Sequence, residues 1–85
     1  MELTKKDLKD FLEKYHFHTK KSVIITKKMA QTWTKKDLLC FIALQTWEFG
    51  RSLKDSLENA QAWSQSSKDK IIETFFKKDI EKNYI

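Results

Sequence analysis

Residues 34–50 read Thr34-Lys-Lys-Asp37-Leu38-Leu-Cys40-Phe-Ile-Ala-Leu44-Gln-Thr-Trp47-Glu-Phe-Gly50. A threonine followed three residues later by an acid is a capping box, in which each side chain satisfies a backbone N–H of the other residue. The seven apolar residues Leu38–Leu44 leave no polar face, so the helix that follows Thr34 is expected to be the central, most buried one. Gly50 is placed to end it, in the left-handed conformation that closes many helices.

The same box recurs at Thr4–Asp7, Ser52–Asp55 and Ser66–Asp69. Each precedes apolar residues at helical spacing: Leu8, Phe11, Leu12 and Tyr15; Leu53, Leu57, Ala60 and Trp63; Ile71, Ile72, Phe75, Phe76, Ile80 and Tyr84. Between Thr19 and Trp33 two patterns compete. Ile25, Met29 and Trp33 are spaced for a helix, whereas Val23-Ile24-Ile25-Thr26 is a β-branched run suited to a strand. A lone strand has no partner for its backbone hydrogen bonds, so a helix is expected. The fold class is therefore all-α. A single domain over 1–85 forms a compact bundle of about five short helices, at approximately 4–17, 20–33, 35–49, 53–64 and 67–83.

Composition agrees. The chain has one Gly and no Pro, which disfavours hairpin-rich β architectures. Eleven aromatic residues (six Phe, three Trp and two Tyr) can fill a core without disulfides, and the single Cys40 allows no internal one. Cys40 is expected to be a buried thiol, which fits an intracellular, cytoplasmic setting. The run Leu38–Leu44 is far shorter than the roughly 20 residues a membrane-spanning helix needs. The opening Met-Glu-Leu-Thr-Lys-Lys-Asp lacks the apolar core of a signal peptide. All three Trp follow a Gln by two positions, near expected helix ends, where a ring can lid the core's edge.

The net charge is +5, and it is localised. From Lys14 to Lys36 there are seven lysines and no acid. Thr-Lys-Lys occurs at Thr4, Thr19, Thr26 and Thr34. The pairs Lys20-Lys21 and Lys27-Lys28 lie seven residues apart, which puts them on one face of a single helix, and Lys35-Lys36 opens the next. Solubilising faces usually mix both signs, so this window points to a polyanionic partner. The candidate nucleic-acid-binding residues are Lys20, Lys21, Lys27, Lys28, Lys35 and Lys36. Arg51 is the sole arginine, so binding would be led by phosphate contacts, with little sequence specificity.

One family likeness rests on Leu3-Thr4-x-x-Asp7-Leu8-Lys9-x-x-Leu12, then Phe17, then Lys20-Lys21-x-x-Ile24-Ile25-x-Lys27. This stretch resembles the helix–extended-loop–helix SAP-type DNA-binding motif, with His16 where that family has a glycine. The resemblance covers residues 3–28. It implies DNA-backbone contact by Lys20, Lys21 and Lys27.

Catalytic chemistry is not expected. There is no phosphate-cradling glycine loop, no nucleophile elbow and no His–Glu metal motif, and the aspartates are accounted for as caps. His16 and His18 do not share a helical face, so no metal site is expected, and no cofactor or small-molecule substrate. The partner is thus nucleic acid, DNA above RNA, or else a protein, the chain then being an adaptor, inhibitor or immunity-type interaction module. The protein reading predicts an exposed apolar patch at Trp33, Trp47 or Phe75–Phe76. A membrane-surface role would need lysines and aromatics on opposite faces of a helix over 19–33 and is the least expected.

Overall fold

The computed structural model describes residues 2–15 and 22–83. Among the described residues five α-helices form, as the periodicity predicts: α1 (Lys5–Lys14), α2 (Lys27–Thr32), α3 (Lys35–Glu48), α4 (Leu53–Ala62) and α5 (Lys68–Phe75), with one 3₁₀ turn at Trp63–Gln65. Two short strands, β1 (Ser22–Ile25) and β2 (Ile80–Asn83), pair antiparallel with Ser22 opposite Asn83 and Ile25 opposite Ile80.

The strands correct two expected helices. The helix expected over 20–33 begins only at Lys27, and the one expected over 67–83 ends at Phe75. The β-branched run needs a hydrogen-bonding partner, and the partner is the segment some 58 residues later, whose Ile80 also fits the helical spacing of the α5 stripe. Thr26 then caps α2 by accepting the Met29 N–H at 3.1 Å. No acid stands three residues after Thr26, so the capping-box pattern does not flag this start.

The boxes at Thr4 and Thr34 close in both directions. Thr4 Oγ1 accepts the Asp7 N–H at 3.2 Å and Asp7 Oδ2 accepts the Thr4 N–H at 2.9 Å. The Thr34–Asp37 bonds are 3.1 and 3.3 Å. Ser52 caps α4 through the Asp55 N–H alone. The last cap shifts by one residue: Ser67, not Ser66, accepts the Lys70 N–H, while the Ser66 N–H bonds Trp63 O and closes the 3₁₀ turn.

Helix α3 ends as expected. Gly50 has φ +99°, and its N–H bonds Trp47 O at 3.1 Å while the Arg51 N–H reaches Thr46 O at 3.3 Å. These two bonds are the Schellman motif, and the positive φ is why glycine stands there.

Leu38 to Leu44 are all buried, so α3 is the axle of the fold. Helix α4 lies against it through Ser56 and Ala60, a small pair one turn apart that permits close approach. Trp33, between α2 and α3, is only 2% exposed. Its ring centroid lies 5.6 Å from Phe11, 5.0 Å from Tyr15, 5.8 Å from Phe41 and 6.0 Å from Phe76. One ring thereby joins α1, α3 and the end of α5.

Truncating this ring leaves a large cavity. Trp33→Ala is expected to cost about 3–5 kcal/mol, whereas Trp47→Ala, at a half-exposed ring, is expected to cost about 1 kcal/mol. Urea denaturation of the two variants measures both; equal losses would contradict the pinning role of Trp33.

Candidate functional site

The lysine window does not form one helical face. Strand β1 follows Lys21 directly, so Lys20-Lys21 and Lys27-Lys28 cannot share one continuous helix, and the seven-residue register does not apply. Lys20 and Lys21 lie outside the described residues, as do His16 and His18. Lys27 and Lys28 form the first turn of α2, and Lys35 and Lys36 the first turn of α3.

Acids from elsewhere in the chain meet several of these lysines. Lys27 Nζ lies 2.8 Å from Glu73 Oε1 on α5. Lys36 Nζ lies 2.8 Å from Asp7 Oδ1 on α1, while its neighbour Lys35 donates to the Ser64 carbonyl in the 3₁₀ turn. Adjacent lysines thus reach opposite flanks of α3. Lys28 is exposed and has no ion pair among the described residues. The Lys27–Glu73 pair is largely in solvent and adds little stability.

Lys14, which opens the acid-free window, also meets an acid. Its Nζ lies 3.1 Å from Asp37 Oδ2. The same oxygen accepts the Tyr15 hydroxyl at 2.7 Å and the Thr34 N–H at 3.3 Å. Burial pushes the Asp37 carboxyl upward, but the Tyr15, Lys14 and Thr34 hydrogen bonds outweigh it and hold the group below the usual carboxylate value. Tyr15 is raised, first by burial and then by donating to the carboxylate.

A hollow of about 150 Å³ lies between α1 and α3, lined by Asp7, Asp10, Phe11, Lys14, Lys36, Asp37 and Cys40. The Lys36–Asp7 and Lys14–Asp37 pairs bridge it. Cys40 Sγ donates to Asp7 O at 3.6 Å, and burial, aided by Asp7 and Asp37, pushes the thiol up to about 12. It is an inert core thiol in the native state. Among the described residues no group of three or more His, Cys, Asp or Glu side chains is placed to hold a metal ion.

An apolar concavity lies elsewhere, at a place the charge pattern does not mark. A groove of about 410 Å³ runs between α1 and the junction of α3 with α4. Leu8 and Leu12, one turn apart on α1, face Trp47 and Leu53 across it, with Lys5, Lys6 and Lys9 along the α1 side. Its surface is almost wholly apolar. Trp47 is 42% exposed, and nearby Phe49, just before Gly50, is 85% exposed. Of the aromatic residues proposed for an exposed patch, only Trp47 serves. Trp33 and Phe76 are buried, and Phe75 is half-buried against Trp63. The sequence signal for this site is slight. Phe49 beside a helix-ending glycine is an aromatic with nothing left to cover, and Lys5, Lys6 and Lys9 precede the acid-free window.

The chain matches no protein-family model, no curated protein and no solved structure.

Two outcomes check the α1–α3 contacts. Folding lowers the Asp37 pKa, so its ionised form stabilises the fold above the unfolded-state value near ~3.9. That contribution is lost as pH falls through the lower folded value. Asp37→Asn is expected to cost about 1–3 kcal/mol at neutral pH. The gap between the two urea midpoints should narrow below about pH 4; a gap independent of pH would refute the assignment. Cys40 should resist a thiol-specific disulfide reagent in buffer and react at once in denaturant.

Proposed function

We propose that this chain is a non-enzymatic protein-interaction module that docks its partner in the groove between α1 and the α3–α4 junction. One observation carries the reading. A groove of about 410 Å³ is almost wholly apolar, and one of its walls is Trp47, a large ring left 42% exposed that a chain of this size would otherwise bury. Clusters of exposed aromatic side chains beside a concave apolar floor are where binding energy concentrates. The spread of Lys27, Lys35 and Lys36 towards three different elements also favours this reading over one continuous cationic face. A buried Cys40 thiol supports an intracellular site of action.

Nucleic-acid binding is the second reading, and a separate observation favours it. Three Thr-Lys-Lys triplets, at Thr4, Thr26 and Thr34, are helix starts, so Lys5-Lys6, Lys27-Lys28 and Lys35-Lys36 sit at the positive ends of helix dipoles. Cations there are electrostatically disfavoured, by roughly 0.3–1 kcal/mol each, so helix stability does not explain their placement. Phosphate contact by Lys27, Lys28, Lys35 and Lys36, with Lys20 and Lys21, would, as the SAP-type resemblance implies for Lys20, Lys21 and Lys27. No described helix is long and apolar enough to cross a membrane. The surface-bound membrane role required a helix over 19–33, and α2 covers only Lys27–Thr32.

Amide NMR titration separates the readings. Amphipathic helical peptides are expected to move the signals of Leu8, Leu12, Leu53 and the Trp47 indole, and Trp47→Ala to weaken them at least about tenfold, as hot-spot truncation does. A short random-sequence DNA duplex that instead moves Lys27, Lys28, Lys35 and Lys36, with affinity falling steeply between about 50 and 200 mM salt, would replace the first reading with the second.

A further inference from the structure

We infer that the groove takes an acidic amphipathic α-helix of a partner protein. This rests on the reading of the chain as an interaction module and adds the partner's conformation and charge.

The conformation follows from the walls. Among the described residues the groove is lined by helical ones: Lys5, Lys6, Leu8, Lys9 and Leu12 of α1, Trp47 of α3 and Leu53 of α4. Apart from the first-turn N–H groups of Lys5, Lys6 and Leu53, their backbone groups are committed within their own helices, and the groove has no strand edge among its described lining. The groove therefore offers side chains and no backbone ladder. An extended segment entering it would leave its own N–H and C=O groups unpaired, at a cost of about 1–3 kcal/mol for each one buried. A helix satisfies its backbone internally and needs only an apolar stripe. The length agrees: from Lys5 to Leu12 is about 10 Å along the α1 axis, two helical turns, which matches anchors at i, i+3 or i+4, and i+7.

The charge follows from the rim. Lys5, Lys6 and Lys9 are exposed, and no acid is among the described residues that line the groove. Unlike Lys14, Lys27 and Lys36, none of the three has an ion pair among the described residues. Lys5 and Lys9 are one turn apart and Lys6 lies between them, so the cations run along one wall for about one turn. An occupant with Glu or Asp beside its apolar stripe would pair with that wall as it docks, and a basic helix would be repelled. A flat anionic lipid surface matches the charge but not the concave floor.

The test uses the full chain and three helical peptides with one identical Leu/Phe stripe, flanked by Glu, Gln or Lys, in fluorescence anisotropy. The Glu peptide is expected to bind at least about tenfold tighter than the Gln peptide, and the Lys peptide not to bind. The triple variant Lys5→Glu, Lys6→Glu, Lys9→Glu should reverse that order. Acids suit the first turn of a helix, so the variant is expected to fold, and circular dichroism verifies this. Lys70→Glu with Lys78→Glu, exposed on α5 and after it, should leave the order unchanged and so removes net charge as the cause. Equal binding of the Glu and Gln peptides overturns the acidic occupant while the module reading stands. Failure of all three peptides overturns both. Binding of phosphatidylserine vesicles in place of any peptide, or a self-association that fills the groove, would make the occupant a lipid surface or a second copy and overturn the inference.

Discussion

The indole of Trp33 is the contact on which the arrangement of the chain depends. It sits between the end of α2 and the cap of α3, and it packs on Phe11 and Tyr15 of α1, Phe41 of α3 and Phe76 at the end of α5. Phe41 and Phe76 also touch each other, with centroids 5.1 Å apart. Four short helices of ten residues or fewer cannot hold one another by backbone preference alone, so a shared ring fixes their relative positions. Asp37, four residues on, adds direction to that packing. Its one oxygen takes donors from Lys14 and Tyr15 at the end of α1 and from Thr34 at the start of α3, so the two helices meet in a single register.

The groove is a consequence of the same economy. Helix α3 runs for 14 residues, and its apolar surface extends almost all round. The other helices cover it over Leu38–Leu44, where every residue is buried. Beyond that point the Schellman turn at Gly50 sends the chain back into α4, and Trp47 and Phe49 are left at the uncovered end. A domain this small has little spare chain to close such a gap, because the fraction of surface it can bury is limited by its size. The first two turns of α1, with Leu8 and Leu12 lining the hollow beside Trp47, complete it. The same helix brings Lys5, Lys6 and Lys9 to its edge, which gives an apolar floor with a cationic wall.

Much of the fold was legible in the sequence because its causes are local. The reciprocal boxes Thr4–Asp7 and Thr34–Asp37, the apolar block Leu38–Leu44 and the glycine-closed end of α3 each depend on side chains within a few positions of one another. The candidate site was much less legible. The lysines of the window are consecutive in sequence but diverge in space, since Lys35 and Lys36 are neighbours on a helix and therefore point about 100° apart. Asp7 and Glu73, which meet Lys36 and Lys27, lie well outside the window. The three lysines that line the groove belong to α1, where Asp7, Asp10 and Glu13 alternate with them in sequence, so no run of one sign marks them.

The sequence by itself determined five helices, where most of them start, which one is central, and that the chain carries a surplus of positive charge. These follow from capping chemistry and from a 3.6-residue period, both of which act over one or two turns. Only the tertiary structure decided the rest. It made Val23–Ile25 a strand by supplying Ile80–Lys82 as its partner, buried Trp33 while leaving Trp47 exposed, and set the unpaired lysines of α1 beside an apolar hollow. Each of those outcomes depends on which distant segment arrives at a given surface. Hydrogen-bond satisfaction and close packing settle that between residues that share no local pattern.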